Sequence, residues 1–274
     1  MLIKRKKTGS IVCPACGKLV SVNADKCWNC GRRRPGLWGF APVVQNLLGG
    51  FVPVVTLICI VLYVVSLLLD PSTIFRSRGL FSFLSPSLRS LYVLGMTGTE
   101  VMKYGRWWTL ITAIYLHGGL LHILFNLLWI RQLGPIVEEF YGSSRLILIF
   151  TISGITGFIL SNLMGISFTI GASGSIFGLL GALVYYGRTR GGAFGAAVYR
   201  QMVGWAIFLF IMGFMMPGVN NFAHGGGFVG GYLAALFLGF QESKAETFLH
   251  KLLALGAVIL TGIGFLLSVW TVIA

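Results

Sequence analysis

The sequence predicts an all-α protein that crosses a membrane several times and carries a small metal-binding module at its N-terminus. Of its 274 residues, 56% are hydrophobic and 10% are charged, whereas globular proteins average about 25% charged residues. The mean hydropathy is +0.85. Long apolar runs recur along the chain, but residues 1–36 are polar, basic and rich in cysteine.

The N-terminal module is predicted from two C-x-x-C-G motifs. Their cysteines are Cys13, Cys16, Cys27 and Cys30. Four thiolates at this spacing can surround one tetrahedral zinc ion, and each following glycine lets the backbone turn around the sulfurs. A pair of disulfides is the alternative, which a basic tail facing the reducing cytosol disfavours. We therefore expect a zinc ribbon over residues 1–36, with the ion supplying much of its folding energy.

The charge balance is strongly basic, with 21 Lys and Arg against 7 Asp and Glu and a net charge of +14. In a soluble protein this excess would suggest nucleic acid as a partner. In a membrane protein it is explained by positive charge in the cytosolic loops and a basic tail near anionic lipid, so nucleic acid is not expected. No signal peptide is evident, and the first apolar segment is expected to insert as a signal anchor.

Seven membrane spans are predicted from runs long enough to cross a bilayer. They cover residues 51–69, about 118–137, 146–164, 171–187, 201–216, 224–240 and 252–273. The distribution of Lys and Arg in the short loops predicts a cytosolic N-terminus and an external C-terminus, in the plasma (inner) membrane of a prokaryote. Residues 70–117, which mix aromatic and basic side chains, are expected to lie in the membrane interface.

Four polar residues fall at one predicted depth. His122 and Asn126 share a helix face near the start of the second span, Ser173 opens the fourth span, and His224 opens the sixth. Each has a structural explanation: a helix cap, a packed imidazole or an interhelical amide. Polar groups in a span are costly and usually face the bundle interior, so their coincidence favours one site.

The chemistry that fits this site is nucleophilic catalysis, with Ser173 as nucleophile and His224 as base. Neither span contains a carboxylate, so the sequence predicts a dyad rather than a triad. Phe177, one turn after Ser173, is expected to press against His224. Gly174 and Gly227 would let the two helices approach, while Ser175 would face elsewhere.

These residues resemble the motifs of the rhomboid family of intramembrane serine proteases. The stretch from Gly171 to Gly174 matches the nucleophile motif G-x-S-G, and residues 223–231 match A-H-x-x-G-x-x-x-G. Residues 122–126 match H-x-x-x-N, and His117 also matches a histidine found before that helix. The resemblance implies that Ser173 is the nucleophile, that His224 is the base, and that His122 and Asn126 bind the oxyanion.

The resemblance covers about residues 45–240. It implies a six-helix catalytic core over 37–241 and an additional helix over 242–274. The order Arg106-Trp107-Trp108 departs from the family's Trp-Arg, and Phe177 stands where Tyr is also common.

The sequence hypothesis is an intramembrane endopeptidase that cleaves transmembrane or juxtamembrane segments without a catalytic cofactor. Its expected partners are transmembrane protein substrates, the lipid bilayer and a cytosolic protein that binds the ribbon. The alternatives are a catalytically silent rhomboid-like protein that binds client helices, and a transporter or channel. Scarce acidic residues within the spans argue against a proton-coupled pump.

Overall fold

The computed structural model describes residues 6–13, 18–40, 49–73 and 83–273. The chain divides into two compact units, residues 1–57 and 58–274. The three-part division into 1–36, 37–241 and 242–274 stays a prediction, because compactness alone does not test it.

The N-terminal unit contains a two-stranded antiparallel sheet. Strand β1 (Ser10–Val12) pairs with strand β2 (Leu19–Ser21), and Ile11 lies opposite Val20. Because side chains alternate along a strand, this central pair points into a small core. That core contains Ile11, Cys13, Val20, Val22 and Cys27.

The remaining regular structure of the described chain is helical, which confirms the predicted all-α class. The α-helices are α1 (Phe51–Leu69), α2 (Leu88–Leu94), α3 (Thr99–Met102), α4 (Thr109–Thr112), α5 (Leu120–Tyr141), α6 (Ser143–Leu163), α7 (Ser173–Arg190), α8 (Gly192–Met215), α9 (Asn221–Leu238) and α10 (Phe248–Ile273). Each of the seven predicted spans corresponds to one of the seven long helices.

Five of the long helices, α1, α5, α6, α8 and α10, are long and apolar enough to cross a membrane. The other two, α7 and α9, have 18 residues each. They fall short because α7 ends in basic residues and α9 is rich in glycine. The protein is therefore an integral membrane protein in which the least apolar long helices are α7 and α9.

Helix α8 begins at Gly192, ahead of the fifth span predicted from about residue 201. Gly187 of α7 packs against this first part of α8. A Cβ there would lie 2.6 Å from the Tyr199 nitrogen and 2.8 Å from the Gly195 oxygen. The backbones of the two helices thus touch along a stretch that is not apolar enough to predict from hydropathy.

Helices α7 and α9 also approach each other through backbone contacts. A Cβ on Gly227 would overlap the carbonyl of Gly174, and a Cβ on Gly231 would overlap that of Gly178. Small residues permit such close approach between membrane helices, where packing rather than hydrophobicity drives association. The two helices that carry Ser173 and His224 are therefore held together over several turns.

Buried Arg145 joins the first turn of α6 to the segment that leads into α10. Its guanidinium donates to the carbonyl oxygens of Gly239 at 3.0 Å and Lys244 at 2.5 Å, and to His250 Nδ1 at 3.3 Å. Its backbone N–H donates to the Glu246 carboxylate at 3.0 Å. The buried guanidinium is thereby hydrogen-bonded by uncharged acceptors, and the Glu246 carboxylate lies close to it at the backbone N–H.

A second set of polar contacts joins α10 to the segment that precedes α4. Arg106 donates to the carbonyl oxygens of Tyr92 at 3.1 Å and Ser268 at 3.0 Å. Trp108 Nε1 donates to the Ser268 hydroxyl at 3.1 Å. Arg106 and Trp108 therefore attach the C-terminal helix to this segment. Residues 74–82 of the predicted interfacial segment lie outside the described residues.

Substitution of Gly231 by Ala should destabilise the protein, because the added Cβ would overlap backbone atoms of Gly178. Overpacking of this kind costs about 1–3 kcal/mol. Unfolding of the purified protein in detergent measures the change in free energy.

The matched control for this prediction is Gly225→Ala in the same helix, where an added Cβ would meet nothing within 4 Å. Alanine is the better helix former by about 1 kcal/mol, so this variant should be at least as stable as the wild type. Equal stability of the two variants would contradict close packing at Gly231.

Candidate active site

Ser173 is the first residue of α7 and is half-buried. The chain before it is fixed by backbone hydrogen bonds, since Gly171 N–H donates to the Ala113 oxygen at 2.9 Å and Thr169 pairs with Thr97. Gly171 has φ +120°, a conformation that favours glycine. The position of the hydroxyl is therefore set by a constrained turn.

His224 lies in the first turn of α9 and is 6% exposed. Its ring stacks on Phe177 of α7, with 4.3 Å between the ring centroids and 16° between the planes. Its Nδ1 lies 3.0 Å from Asn221 Oδ1. An amide oxygen only accepts, so Nδ1 carries the proton and Nε2 holds the free lone pair. In this tautomer the imidazole can take a proton at Nε2.

Asn221 is a site residue that the sequence analysis missed as a partner of His224. Its spacing of three residues from His224 on one helix was a usable signal. Its neighbour Asn220 caps α9 by accepting from Ala223 N–H at 3.2 Å and donates to Ser161 and Thr169. The N-terminal end of α9 is therefore well anchored.

Ser173 and His224 lie at the same end of the α7–α9 contact. A Cβ on Gly174 would lie 3.3 Å from the Ala223 carbonyl oxygen, so the residues that adjoin Ser173 and His224 in sequence are in contact. In the described part of the chain, the hydrogen bond found for the His224 ring is the one with Asn221. No hydrogen bond joins Ser173 and His224 in that part of the chain. A hydrogen bond between a nucleophile and its base is often long in unliganded enzymes and tightens with substrate.

His122, in the first turn of α5, faces the same turn. Its Nδ1 accepts from Gly118 N–H at 3.2 Å, which places the proton of the neutral ring on Nε2. A Cβ on Gly171 would lie 2.6 Å from that Nε2, so the ring reaches the chain just before Ser173. His122 can therefore donate a hydrogen bond close to the start of α7.

Asn126 is buried one turn further along α5. Its Nδ2 donates to the His122 carbonyl oxygen at 2.7 Å, which leaves one amide hydrogen, while its Oδ1 has no partner among the described residues. His117 is also buried, 5.1 Å from His122 between ring centroids. Neither of its ring nitrogens has a hydrogen-bond partner in the described chain. Asn126 and His117, which lie near His122, thus keep polar atoms that are free to form further hydrogen bonds.

Ser175 is fully buried, and its hydroxyl donates to the Phe150 carbonyl oxygen at 2.7 Å. It is thus turned away from His224 and engaged in the contact between α6 and α7. Of the two serines in this stretch, Ser173 is the accessible one.

In the N-terminal unit, Cys13, Cys27 and Cys30 place their sulfur atoms within 4.8 Å of one another. The Cys13 and Cys30 sulfurs are 3.8 Å apart, well beyond the disulfide bond length of about 2.05 Å. Cys16 lies outside the described residues. The three described thiols form a cluster that could hold a metal ion.

Much of this chain is similar in sequence to known proteins. A family profile described as "Rhomboid domain" matches residues 104–241, which include the residues of the candidate site. The chain is 36% identical over 182 residues to "Rhomboid protease GluP" of Bacillus subtilis (strain 168), covering 66% of this chain and 36% of that protein. It is 32% identical over 185 residues to "RHOMBOID-like protein 5" of Arabidopsis thaliana, covering 62% and 58%. The chain spans less than two thirds of the length of either relative. The profile nevertheless extends over half of the chain, and the chain belongs to the rhomboid family.

Proposed function

We propose that this protein is an intramembrane serine endopeptidase that cleaves transmembrane or juxtamembrane segments of membrane proteins through a Ser173–His224 dyad. The observation that carries the proposal is the state of His224. Its ring is stacked on Phe177, one turn from Ser173, and its Nδ1–H is bound by Asn221. A buried imidazole held in this tautomer is prepared to act as a general base.

In the proposed reaction, Ser173 Oγ attacks the carbonyl carbon of the scissile peptide bond while His224 Nε2 takes the hydroxyl proton. The tetrahedral intermediate collapses, the C–N bond breaks, and His224 returns the proton to the leaving amine. Water then loses a proton to His224 and attacks the acyl-enzyme. Breakdown of that second intermediate releases the new carboxyl end, and the proton goes back to Ser173.

The oxyanion that forms in each intermediate needs hydrogen-bond donors in fixed positions. His122 Nε2–H near Gly171 and the remaining amide hydrogen of Asn126 are candidates. The free N–H groups in the first turn of α7 provide further donors and a favourable helix dipole. We assign His122 and Asn126 to this role.

Substrate access is proposed to involve α8 and the loop that follows it. Phe210 of α8 packs edge-on against Phe177, with 6.4 Å between ring centroids. Gly213 of α8 lies directly against Asn221 Oδ1, leaving no room for a Cβ. Helix α8 therefore touches both residues that support His224. Displacement of α8 would open the site and at the same time remove the packing behind both residues that hold His224.

Replacement of Ser173 or His224 by Ala should abolish cleavage of a fluorescent transmembrane substrate by the reconstituted protein. Loss of either member of such a pair costs at least about 10⁴-fold in rate. Ser175→Ala is the matched control and should retain activity, because its hydroxyl is committed to Phe150. A fluorophosphonate probe should label the wild type and fail to label His224→Ala.

Equal cleavage by the wild type and Ser173→Ala would refute the protease assignment. A wild type that binds a transmembrane helix, cleaves nothing and resists the probe would instead favour the catalytically silent, client-binding alternative.

Asn221→Ala should lower kcat by up to about 10²-fold, which is part of what a general base contributes. KM should change little, because Asn221 is a positioning residue that acts through His224. Asn221→Asp keeps an oxygen acceptor for Nδ1–H and should restore much of the rate. The matched control Asn162→Ala removes an amide that donates to the Phe158 carbonyl oxygen in its own helix, and it should leave kcat unchanged. Parallel loss in Asn221→Ala and Asn221→Asp would argue against orientation of His224 by Asn221.

For the N-terminal cluster we propose one structural zinc ion bound by Cys13, Cys16, Cys27 and Cys30. Zn–S bonds of about 2.3 Å in a tetrahedron set the sulfur atoms about 3.8 Å apart. The Cys13–Cys30 separation of 3.8 Å agrees with that arrangement. Zinc, when bound, would hold the small core together and takes no part in the proposed proteolysis.

Elemental analysis should find one zinc per chain in the purified protein and none in a Cys13→Ser/Cys16→Ser double variant. Cys59→Ser is the control and should keep the metal, because Cys59 is buried in α1 and lies outside the cluster. Absence of zinc from the wild type would refute the metal site.

We further propose a cytosolic N-terminus, an external C-terminus and residence in the inner membrane of a prokaryote. The supporting observation is the concentration of Lys and Arg in alternate short loops. Transmembrane protein substrates and a cytosolic protein partner of the ribbon belong to the same proposal.

A further inference from the structure

The N-terminal unit exposes an apolar patch that its proposed metal site does not explain. Val12, Leu19 and Trp28 are 47%, 66% and 72% exposed, respectively, and together they form what we call the ribbon patch. Exposed apolar side chains that cluster in this way commonly mark an interaction surface.

The three side chains of the ribbon patch are brought together by hydrogen bonding. Val12 and Leu19 are direct cross-strand partners and lie on the outer face of the sheet, opposite the buried pair Ile11 and Val20. Trp28 Nε1 donates to the Leu19 carbonyl oxygen at 2.9 Å, which holds the indole against the end of β2. The indole N–H is thus satisfied and the ring is held in place before any partner arrives.

The charge around the ribbon patch is positive. Residues 1–40 contain nine Lys and Arg, and Asp25 is their only carboxylate. Lys18 directly precedes Leu19 in the sequence. Even with four thiolates and one Zn²⁺, which together add a charge of −2, this region remains strongly basic. An anionic surface is therefore the complementary partner.

The chain also keeps this unit close to a membrane. Residues 41–50 separate Phe40, where the described part of the ribbon ends, from α1, a candidate span. Ten residues reach at most about 36 Å when fully extended. A lipid surface is thus always within reach, at a high effective concentration.

We propose that the ribbon patch docks onto the surface of a bilayer that contains anionic phospholipid. Trp28 and the aliphatic side chains enter the interfacial layer, where tryptophan is favoured. Lys18 and the other basic residues contact the headgroups, each strengthening docking by about fivefold. This surface is independent of the dyad and of the proposed protease activity.

Docking can be measured on the full chain, labelled with 5-fluorotryptophan and reconstituted in nanodiscs. The Trp28 ¹⁹F resonance is assigned by its loss in Trp28→Phe. A phosphatidylcholine that carries a nitroxide near the top of its acyl chain broadens resonances that enter the interface. We expect broadening of Trp28 in mixed phosphatidylcholine and phosphatidylglycerol, and much less in phosphatidylcholine alone or at high salt.

Two variants separate docking from mere proximity. Leu19→Ser, which leaves the backbone carbonyl that holds Trp28, should lower the docked-to-free ratio about tenfold. Lys18→Gln should lower it about fivefold. Thr8→Ala, an exposed residue outside the ribbon patch, is the matched control and should behave as the wild type. An unchanged Trp38 resonance verifies that the N-terminal unit of each variant is folded, because Trp38 lies in that unit.

A Trp28 resonance that stays sharp in both lipid mixtures would overturn the proposal. Broadening that is equal in both mixtures and unaffected by Leu19→Ser would also overturn it, because the tether alone would explain the signal. A resonance that stays sharp with lipid but shifts when DNA or RNA is added would assign the ribbon patch to nucleic acid instead.

Discussion

The backbone contact between α7 and α9 is the constraint on which the rest of the core depends. Gly174 and Gly178 face Gly227 and Gly231, and a side chain at either of the latter two would overlap carbonyl groups on α7. Lipid is as apolar as the helices themselves, so close packing must supply the association energy that burial supplies in water. The same contact brings the turn that holds Ser173 beside the turn that holds His224. Packing and the candidate chemistry are therefore two consequences of one helix pair.

The contacts of His224 show how an imidazole can be oriented without a buried carboxylate. Phe177 limits the tilt of the ring, and Asn221 fixes the proton on Nδ1. An uncharged amide costs less to bury than a carboxylate, whose desolvation must be repaid by close pairing. The amide also stabilises an imidazolium less than a carboxylate would. In the proposed dyad, the base would therefore depend on precise placement of the ring by Phe177 and Asn221, both of which touch α8.

The N-terminal unit is stabilised differently from the helical core. Among its described residues, the core comprises five buried ones. Two of them are cysteines of the thiol cluster, so apolar burial alone contributes little to its folding. Exposed apolar side chains are ordinary on helices that face lipid, but a cluster of them on a small unit in water commonly marks an interaction surface. The ribbon patch and its basic surroundings are consistent with a unit that works at the membrane surface.

The sequence by itself determined the all-α class, the number of long helices, the two C-x-x-C-G motifs and the residues of the candidate dyad. These depend on the length of apolar runs and on the spacing of nearby residues, and both can be read from the sequence. It did not determine the start of α8, the support of His224 by Asn221, or the proton position on His122. These depend on the rotation of each helix about its axis and on contacts such as Gly187 with Tyr199 and Gly213 with Asn221. Only the three-dimensional structure decides them. A spacing of three or four residues does not fix which way a side chain turns, and the helix contacts join segments that are far apart in sequence or separated by a turn.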